Sequence, residues 1–279
     1  MFYYRVSRWA GNALIYALLI AICIFMLFPF LWMIITSLKY ADEIFHIPMI
    51  LIPAHPDLHA YTYIIKQYHI FNITWNTFMI AIIGTGLSLF FCSLGGYAFA
   101  KFKFPGQGPL FSFLLGTMVI PAAVTLVPVF LIMRDLKWID TILPLVIPGA
   151  ANAFGIFFMR QYISTISDDI MDAARMDGAG EFTIYWRIIV PIIAPGLTSL
   201  GLIFFMGGWN AILGPLIYLK TQSHFTLPLI IRSMTSTVGR SMFDNQMAAS
   251  VISIIPLLII FLIFQRRLME GIAAGAVKG

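Results

Sequence analysis

The charged residues of the chain leave long uncharged, apolar stretches between short polar segments. Stretches without Asp, Glu, Lys or Arg cover residues 9–38, 67–100, 104–133, 141–159, 188–219 and 245–265. A helix rises 1.5 Å per residue and a bilayer core is about 30 Å thick, so a span needs about 20 apolar residues. Each stretch reaches about that length, and the pattern predicts an all-α membrane protein with six transmembrane helices.

The predicted spans are joined by connections of unequal length. We place the spans at residues 11–36, 76–100, 109–133, 141–159, 188–219 and 245–265. The pattern then predicts one long cytoplasmic loop, 160–187, and two long outside loops, 39–75 and 220–244. Because there is no internal repeat and no low-complexity linker, we interpret residues 1–279 as a single transmembrane domain.

Composition and charge support a membrane protein. The 279 residues are 60% hydrophobic and 10% charged, whereas a soluble domain is about 25% charged. With a cytoplasmic N-terminus, ten Lys and Arg fall inside and seven outside, which favours cytoplasmic N- and C-termini. We therefore attribute the net charge of +5 to membrane orientation and expect membrane lipid, not nucleic acid, as a partner.

The residues that could carry chemistry argue against several function classes. Every Asp and Glu can be placed outside the spans, which disfavours a proton- or ion-coupled carrier. The sequence has no GxxxxGK[ST] phosphate-binding loop, and the histidines lack metal-ligand spacing. We expect no metal, no cofactor and no catalytic site in this chain. The energy for any transport would then have to come from elsewhere.

The cytoplasmic loop is the most informative segment. Asp169–Arg175 is compatible with a helix that presents the small side chains of Ala173 and Ala174, and Gly178 is predicted to end it. A second helical run is predicted from about Glu181 into the membrane. Small residues flanked by charges suit a knob held in a partner's cleft, but a solvated surface loop has the same composition, and the residues alone leave both interpretations open.

This loop resembles the EAA loop of ABC importer permeases. The family signature is EAA-x3-G-x9-I-x-L-P, and the matching residues are Asp172, Ala173, Ala174, Gly178, Ile188 and Pro191. Asp172 stands where the family usually has Glu, and Val190 where it usually has Leu. Asp177 and Ala179, on either side of the glycine, match the fuller form of the signature.

The resemblance extends along essentially the whole chain. Residues that resemble the carbohydrate-importer branch are Pro29, Trp32, Ser37, Lys39, Asn76 and Tyr97. Trp209-Asn210 and the ending Gly275–Gly279 are similar to the maltose-type permease of the G kind, the smaller of two unlike permease subunits. The resemblance thus implies the ABC type I importer permease fold in the inner membrane of a bacterial cell.

The resemblance also implies partners and a mechanism. A homodimer of ATP-binding subunits would hold ATP and Mg, and this chain would bind no cofactor and would not itself be an enzyme. The coupling residues implied are Asp172, Ala173, Ala174, Asp177, Gly178 and Ala179. A second, non-identical permease subunit and an extracytoplasmic solute-binding protein would complete the importer. The loop Lys220–Asp244 would contact the binding protein, and the tail Gly271–Gly279 would reach the ATPase interface.

The substrate implied is a carbohydrate, moved inward by alternating access. Sugar recognition uses aromatic stacking and hydrogen-bonding groups, so Asn152, Trp209 and Asn210 are candidates for the substrate pathway. Helix packing would explain the same residues. Oligosaccharide, monosaccharide, polyol and glycerol phosphate all stay open, and the alternative function is a secondary carrier or channel not coupled to ATP.

Overall fold

The computed structural model describes residues 2–48, 50–237 and 242–276, and every regular element in this part of the chain is helical. The α-helices, in chain order, are α1 (Phe2–Thr36), α2 (Ala41–Ile44), α3 (His59–Tyr68), α4 (Ile70–Lys101), α5 (Gln107–Thr117), α6 (Ala122–Asp135), α7 (Leu143–Val146), α8 (Ala153–Ile163), α9 (Asp169–Met176), α10 (Glu181–Ile184), α11 (Val190–Ile192), α12 (Ala194–Trp209), α13 (Leu213–Tyr218), α14 (Leu227–Thr237) and α15 (Phe243–Ala276). A π-helical turn, Tyr185–Ile189, joins α10 to α11, and a short 3₁₀ turn, Gln222–His224, precedes α14.

The chain divides into two compact units. Unit 1 comprises Met1–Ile70 and Ile231–Ile254, and unit 2 comprises Phe71–Ile230 and Ile255–Gly279. Unit 1 contains the first apolar helix and most of the predicted outside loop 39–75. Unit 2 contains the predicted cytoplasmic loop and the candidate pathway residues.

Three of the described helices are long and apolar enough to cross a membrane. They are Leu14–Thr36 within α1, Ile70–Lys101, and Phe243–Gln265 within α15. Two helix pairs pass the same test together but are bent, α5 with α6 by 97° and Glu181–Ile192 with α12 by 77°. By length and composition, the described chain therefore has three candidate spans, or up to five if each bent pair counts as one, where the sequence predicts six.

The third and fourth predicted spans are broken helices, and a proline lies at each break. The third predicted span bends before Pro121, which is extended at ψ 135° and begins α6. The fourth, 141–159, consists of α7 and α8 with a turn between them that contains Pro148. Proline has no N–H to donate and disfavours helix in the preceding residue, so an uncharged stretch long enough to span need not be one helix.

In unit 2, α4 and α8 pack with their backbones nearly in contact. A Cβ on Gly96 would lie 2.6 Å from the Cβ of Met159 and 2.8 Å from the backbone N of Arg160. On α8, a Cβ on Gly155 would lie 2.5 Å from Cys92 Sγ. Small residues allow such close approach between helices in a membrane, so these glycines set the spacing of the two helices.

Around this contact lies one buried cluster that joins the predicted cytoplasmic loop, 160–187, to the apolar helices of unit 2. Its members are Tyr97, Met159, Ile163, Met171, Ala174, Ile184, Tyr185, Ile189, Ile193 and Leu200. They come from α4, α8, α9, the helical run that starts at α10, and α12. The predicted loop 160–187 is therefore packed against the helices of its own unit.

In unit 1, the residues that follow the first span form a compact polar contact. Lys39 is buried with its Nζ 4.6 Å from the centroid of the Trp32 ring, and it donates a hydrogen bond to the Ile50 carbonyl. Burial lowers the pKa of the Lys39 ammonium. The Ser37 and Tyr61 hydroxyls are 2.7 Å apart. Trp32, Ser37 and Lys39, which carry part of the resemblance, thus fix the chain where it leaves the span.

Candidate functional site

The short helix predicted in the cytoplasmic loop is present as α9, Asp169–Met176. Its buried face carries Met171 and Ala174, and its exposed face carries Asp172, Ala173 and Met176, the last 88% exposed. The structure therefore separates two alanines that the sequence treats alike. Ala173 is free to meet a partner, whereas Ala174 packs into the buried cluster of its own unit.

Gly178 ends this helix in the left-handed conformation, as the sequence predicts. Its φ is +82°. The Gly178 N–H donates to the Arg175 carbonyl and the Ala179 N–H to the Ala174 carbonyl, each at 3.0 Å, which is the hydrogen-bond pattern of a Schellman motif. A Cβ at this position would meet nothing within 4 Å. The backbone conformation, not a lack of space, is therefore what requires glycine here.

Arg175 connects α9 to the start of α10. Its Nη1 donates to Asp172 Oδ1 and its Nε to Glu181 Oε1, both at 2.7 Å. The hydrogen bond that the Arg175 guanidinium donates to Glu181, followed by the one it donates to Asp172, raises its pKa. These side chains are partly exposed, so each ion pair contributes little by itself. Their effect is to hold the two helices on either side of Gly178 in one arrangement.

The same segment is hydrogen-bonded to α4. The Tyr97 hydroxyl donates to Glu181 Oε2 at 3.0 Å, and the Ser93 and Tyr185 hydroxyls are 2.6 Å apart. Lys101 Nζ donates to Asp168 Oδ1 at 2.6 Å, and this contact lowers the pKa of the Asp168 carboxyl. Ser93 and Lys101 were not predicted as site residues from the sequence, and Tyr97 was named only through the resemblance.

The three candidate pathway residues are used for helix ends and packing. Asn152 begins α8, where its Oδ1 accepts from the Gly155 N–H at 2.8 Å. Trp209 is fully buried and stacks on Phe205 with ring centroids 5.8 Å apart. Asn210 is exposed, and its Nδ2 donates to the Met206 carbonyl at 2.9 Å.

A cavity of about 330 Å³ lies beside Asn152 in unit 2. Its lining includes Gly84, Ser88, Gly149, Asn152, Gly208 and Ala211. Gly208 and Ala211 flank the Trp209-Asn210 pair, but among the described lining residues neither member of the pair occurs. The structure thus brings Asn152 to a cavity without bringing the other two candidates into it.

The second predicted outside loop, 220–244, is fixed at its start by Asp140. The Asp140 carboxylate accepts from the N–H of Lys220 at 2.8 Å, from the N–H of Thr221 at 3.0 Å and from the Thr221 hydroxyl. These bonds, the Thr221 hydroxyl first, hold the pKa of Asp140 well below its usual range. Part of the predicted loop, residues 238–241, and the last tail residues, 277–279, lie outside the described residues.

Apolar helices of spanning length, with a short amphipathic helix anchored to one of them, define the class as an integral membrane permease component. Within the described residues no cluster of three or more His, Cys, Asp or Glu could hold a metal ion. Residues 92–273 match the family described as the binding-protein-dependent transport system inner membrane component. The chain belongs to this family.

The relatives share most of their length with this chain. The arabinooligosaccharides transport system permease protein AraQ of Bacillus subtilis (strain 168) is 33% identical over 91% of each chain. The lactose transport system permease protein LacG of Rhizobium radiobacter is 30% identical over 90% of this chain and 91% of its own. A crystal structure of a bacterial ABC transporter involved in the import of the acidic polysaccharide alginate has a chain that superposes with a TM-score of 0.81. That chain is 27% identical, over 92% of this chain and 96% of its own length. The predicted importer permease fold is therefore confirmed.

Proposed function

We propose that this chain is the permease subunit through which a separate pair of ATPase subunits drives sugar import by alternating access. The observation that supports the proposal is the construction of α9. It is a short helix with an exposed face, it is ended by a left-handed glycine, and the α10 residue that follows it, Glu181, is hydrogen-bonded to a membrane span. A helix held in this way can move with a partner and carry that motion into the spans.

The exposed face of α9 has the features of a docking surface. Asp172 and Ala173 lie beside each other on it, and Met176 extends at its end. A small side chain permits close approach of a partner, and a flexible thioether fills irregular gaps. Asp177, Gly178 and Ala179 then set the direction in which the chain leaves this surface.

The remaining partners and the orientation follow from the same proposal. The importer would contain a second, non-identical permease, two copies of the ATPase that hold ATP and Mg, and an extracytoplasmic solute-binding protein. The chain would cross the inner membrane of a bacterial cell several times with both termini cytoplasmic, so that α9 faces the ATPase. The six-span count would require that α7 and α8 cross the membrane as one broken unit.

The substrate class is best inferred from the relatives and from the cavity beside Asn152. The printed names of the relatives specify arabinooligosaccharides, lactose and, for a Yersinia enterocolitica protein 30% identical to this chain, sn-glycerol-3-phosphate. All are polyhydroxylated, and a cavity that presents amide and hydroxyl groups suits such solutes. We propose a sugar or sugar-like solute, with Asn152 and the Trp209-Asn210 segment near its path.

Gly178→Val tests the coupling assignment, and Gly106→Val is its matched control. Gly106 also has a positive φ, +83°, and open space around its Cβ, but it lies in the turn before α5. Each change forces a β-branched residue into a left-handed conformation, at a cost of about 1–2 kcal/mol or more. We expect both variants to insert in the membrane, and we expect only Gly178→Val to abolish transport.

The measurement is copurification of the second permease and the ATPase subunits, together with uptake of lactose, arabino-oligosaccharide and sn-glycerol 3-phosphate at equal permease levels. Vanadate-sensitive uptake distinguishes an ATP-driven importer from a secondary carrier. Wild-type uptake by Gly178→Val, or an equal loss in both glycine variants, would contradict the coupling assignment. Recovery of an active chain that transports without ATP would contradict the proposed function as a whole.

A further inference from the structure

The cytoplasmic end of α4 carries polar residues at a regular spacing. Ser93, Tyr97 and Lys101 are four residues apart, and this spacing places them along one face of a helix. We call these three residues the polar seam. Each contacts a different part of the segment Asp168–Ile189, which contains α9, α10 and the π-helical turn.

The partners of the three polar-seam residues occur in the opposite order along the chain. Ser93 meets Tyr185, Tyr97 meets Glu181 and Lys101 meets Asp168. Glu181 and Tyr185 are themselves four residues apart, so two helical faces with the same spacing lie antiparallel. This register is specific, because displacement by one helical turn would leave at least one buried polar group without its partner.

The polar seam is buried, unlike the ion pairs of α9. Ser93, Tyr97 and Tyr185 are all buried, and the Lys101 side chain is 3% exposed. The acceptor carboxylates are more exposed, since the Glu181 side chain is 43% and the Asp168 side chain 73% exposed. A hydrogen bond to a charged group nonetheless contributes more than a neutral one, and a buried hydroxyl left without its partner is costly. The bond from the buried Tyr97 to Glu181 therefore gives the α9 segment a directional connection to a span.

Apolar packing and the polar seam constrain the contact in different ways. Met171 and Ile184 also pack in this region, but apolar contacts are not directional. A hydrogen bond weakens steeply when its length or angle changes. The apolar cluster can keep the α9 segment attached while it slides, whereas the polar seam prevents sliding along α4.

We propose that the polar seam transmits the displacement of α9 to α4, with Tyr97 and Glu181 as its positioning residues. The connection runs from Asp172 on the exposed face of α9 through Arg175 and Glu181 to the Tyr97 hydroxyl. This inference rests on the proposed function, since it requires that a partner moves α9. The inference further predicts that docking of the ATPase on α9 and transmission of its displacement to α4 can be lost separately.

The test uses Tyr97→Phe and Glu181→Gln in the complete importer, reconstituted in vesicles with its binding protein. Tyr97→Phe removes one hydroxyl and keeps the ring that packs on Phe102 and Tyr185. Tyr162→Phe is the matched control, because the Tyr162 hydroxyl makes no hydrogen bond within the described part of the chain. The solute is the one in the uptake panel that the wild-type importer takes up fastest.

Three quantities are measured for each variant: ATPase subunits retained, ATP hydrolysed and solute taken up. We expect normal retention and sustained hydrolysis, with uptake per ATP reduced about tenfold, which corresponds to about 1.4 kcal/mol of coupling free energy. The control should match the wild type. A merely structural role would lower all three quantities together.

Two results would overturn the inference while leaving the proposed function intact. One is unchanged uptake per ATP in both Tyr97→Phe and Glu181→Gln. The other is loss of the ATPase from the purified complex, which would show that the polar seam shapes the docking surface. If either variant is poorly expressed, Ser93→Ala, which also removes a single hydroxyl from the polar seam, decides the question by the same ratio.

Discussion

At the scale of single residues, neighbouring positions in α9 have opposite environments. Ala173 is exposed, and Ala174 is 9% exposed within a cluster of apolar side chains. The sequence cannot distinguish them, because which alanine is buried depends on the rotation of a helix only eight residues long. Because their environments differ, introducing a charge at Ala173 and at Ala174 should have different consequences.

Ala174→Asp and Ala173→Asp form a matched pair. We expect Ala174→Asp to destabilise unit 2 by about 2 kcal/mol or more, because it buries a carboxylate without a partner. Ala173→Asp adds its charge at the surface and should change stability by no more than about 0.5 kcal/mol. Permease level after membrane extraction and thermal unfolding in detergent measure the difference. Equal loss of stability in both variants would contradict the assigned faces.

Ala173→Asp should still weaken capture of the ATPase, since its side chain lies on the proposed docking surface. Capture is measured at matched permease levels, so that stability and docking are read separately. Normal capture by Ala173→Asp would place the docking contact elsewhere on the loop.

At the scale of elements, Asn152 serves first as the N-cap of α8. Replacing an N-cap Asn by Ala typically costs about 1 kcal/mol, whereas Ser retains a capping oxygen. We expect Asn152→Ala to lower the free energy of unfolding by about that amount and Asn152→Ser to restore most of it. Thermal unfolding of the purified complex checks this order. If Ser and Ala are equally destabilising, the cap is not the main contribution of this side chain.

The ends of helices could be predicted where the residues at the end determine them. They could not be predicted where contacts with distant parts of the chain determine them. The end of α9 was predictable because Gly178 is a local signal with a local cause. The break between α7 and α8 was not, because irregular backbone buried within a membrane protein can be as uncharged as a helix. The spacing of Ser93, Tyr97 and Lys101 was visible in the sequence, but its partners lie more than 60 residues away along the chain.

At the scale of the whole molecule, the spacing in the α9 segment together with the ending Gly275–Gly279 carried the resemblance to the family. The family match over residues 92–273 and the superposition on a solved importer chain agree with it. The sequence pattern identifies uncharged stretches but does not show whether each is one straight helix. For this reason the described chain has three to five candidate spans where the pattern predicts six. The candidate pathway residues were recognised as polar or aromatic groups at membrane depth, but their capping and packing roles required the structure.

The contact between α4 and α8 has a consequence for the gene. Every amino acid that a single base change can substitute for glycine carries a Cβ, and at position 96 even that atom would lie 2.6 Å from the Met159 Cβ. At Gly86, on the same helix, an added Cβ would meet nothing within 4 Å. In a randomly mutagenised population selected for growth on the imported sugar, we expect codon 96 to lose all its missense alleles while codon 86 keeps its alanine alleles. Survival of alanine at codon 96 would show that the two helices can separate without loss of import.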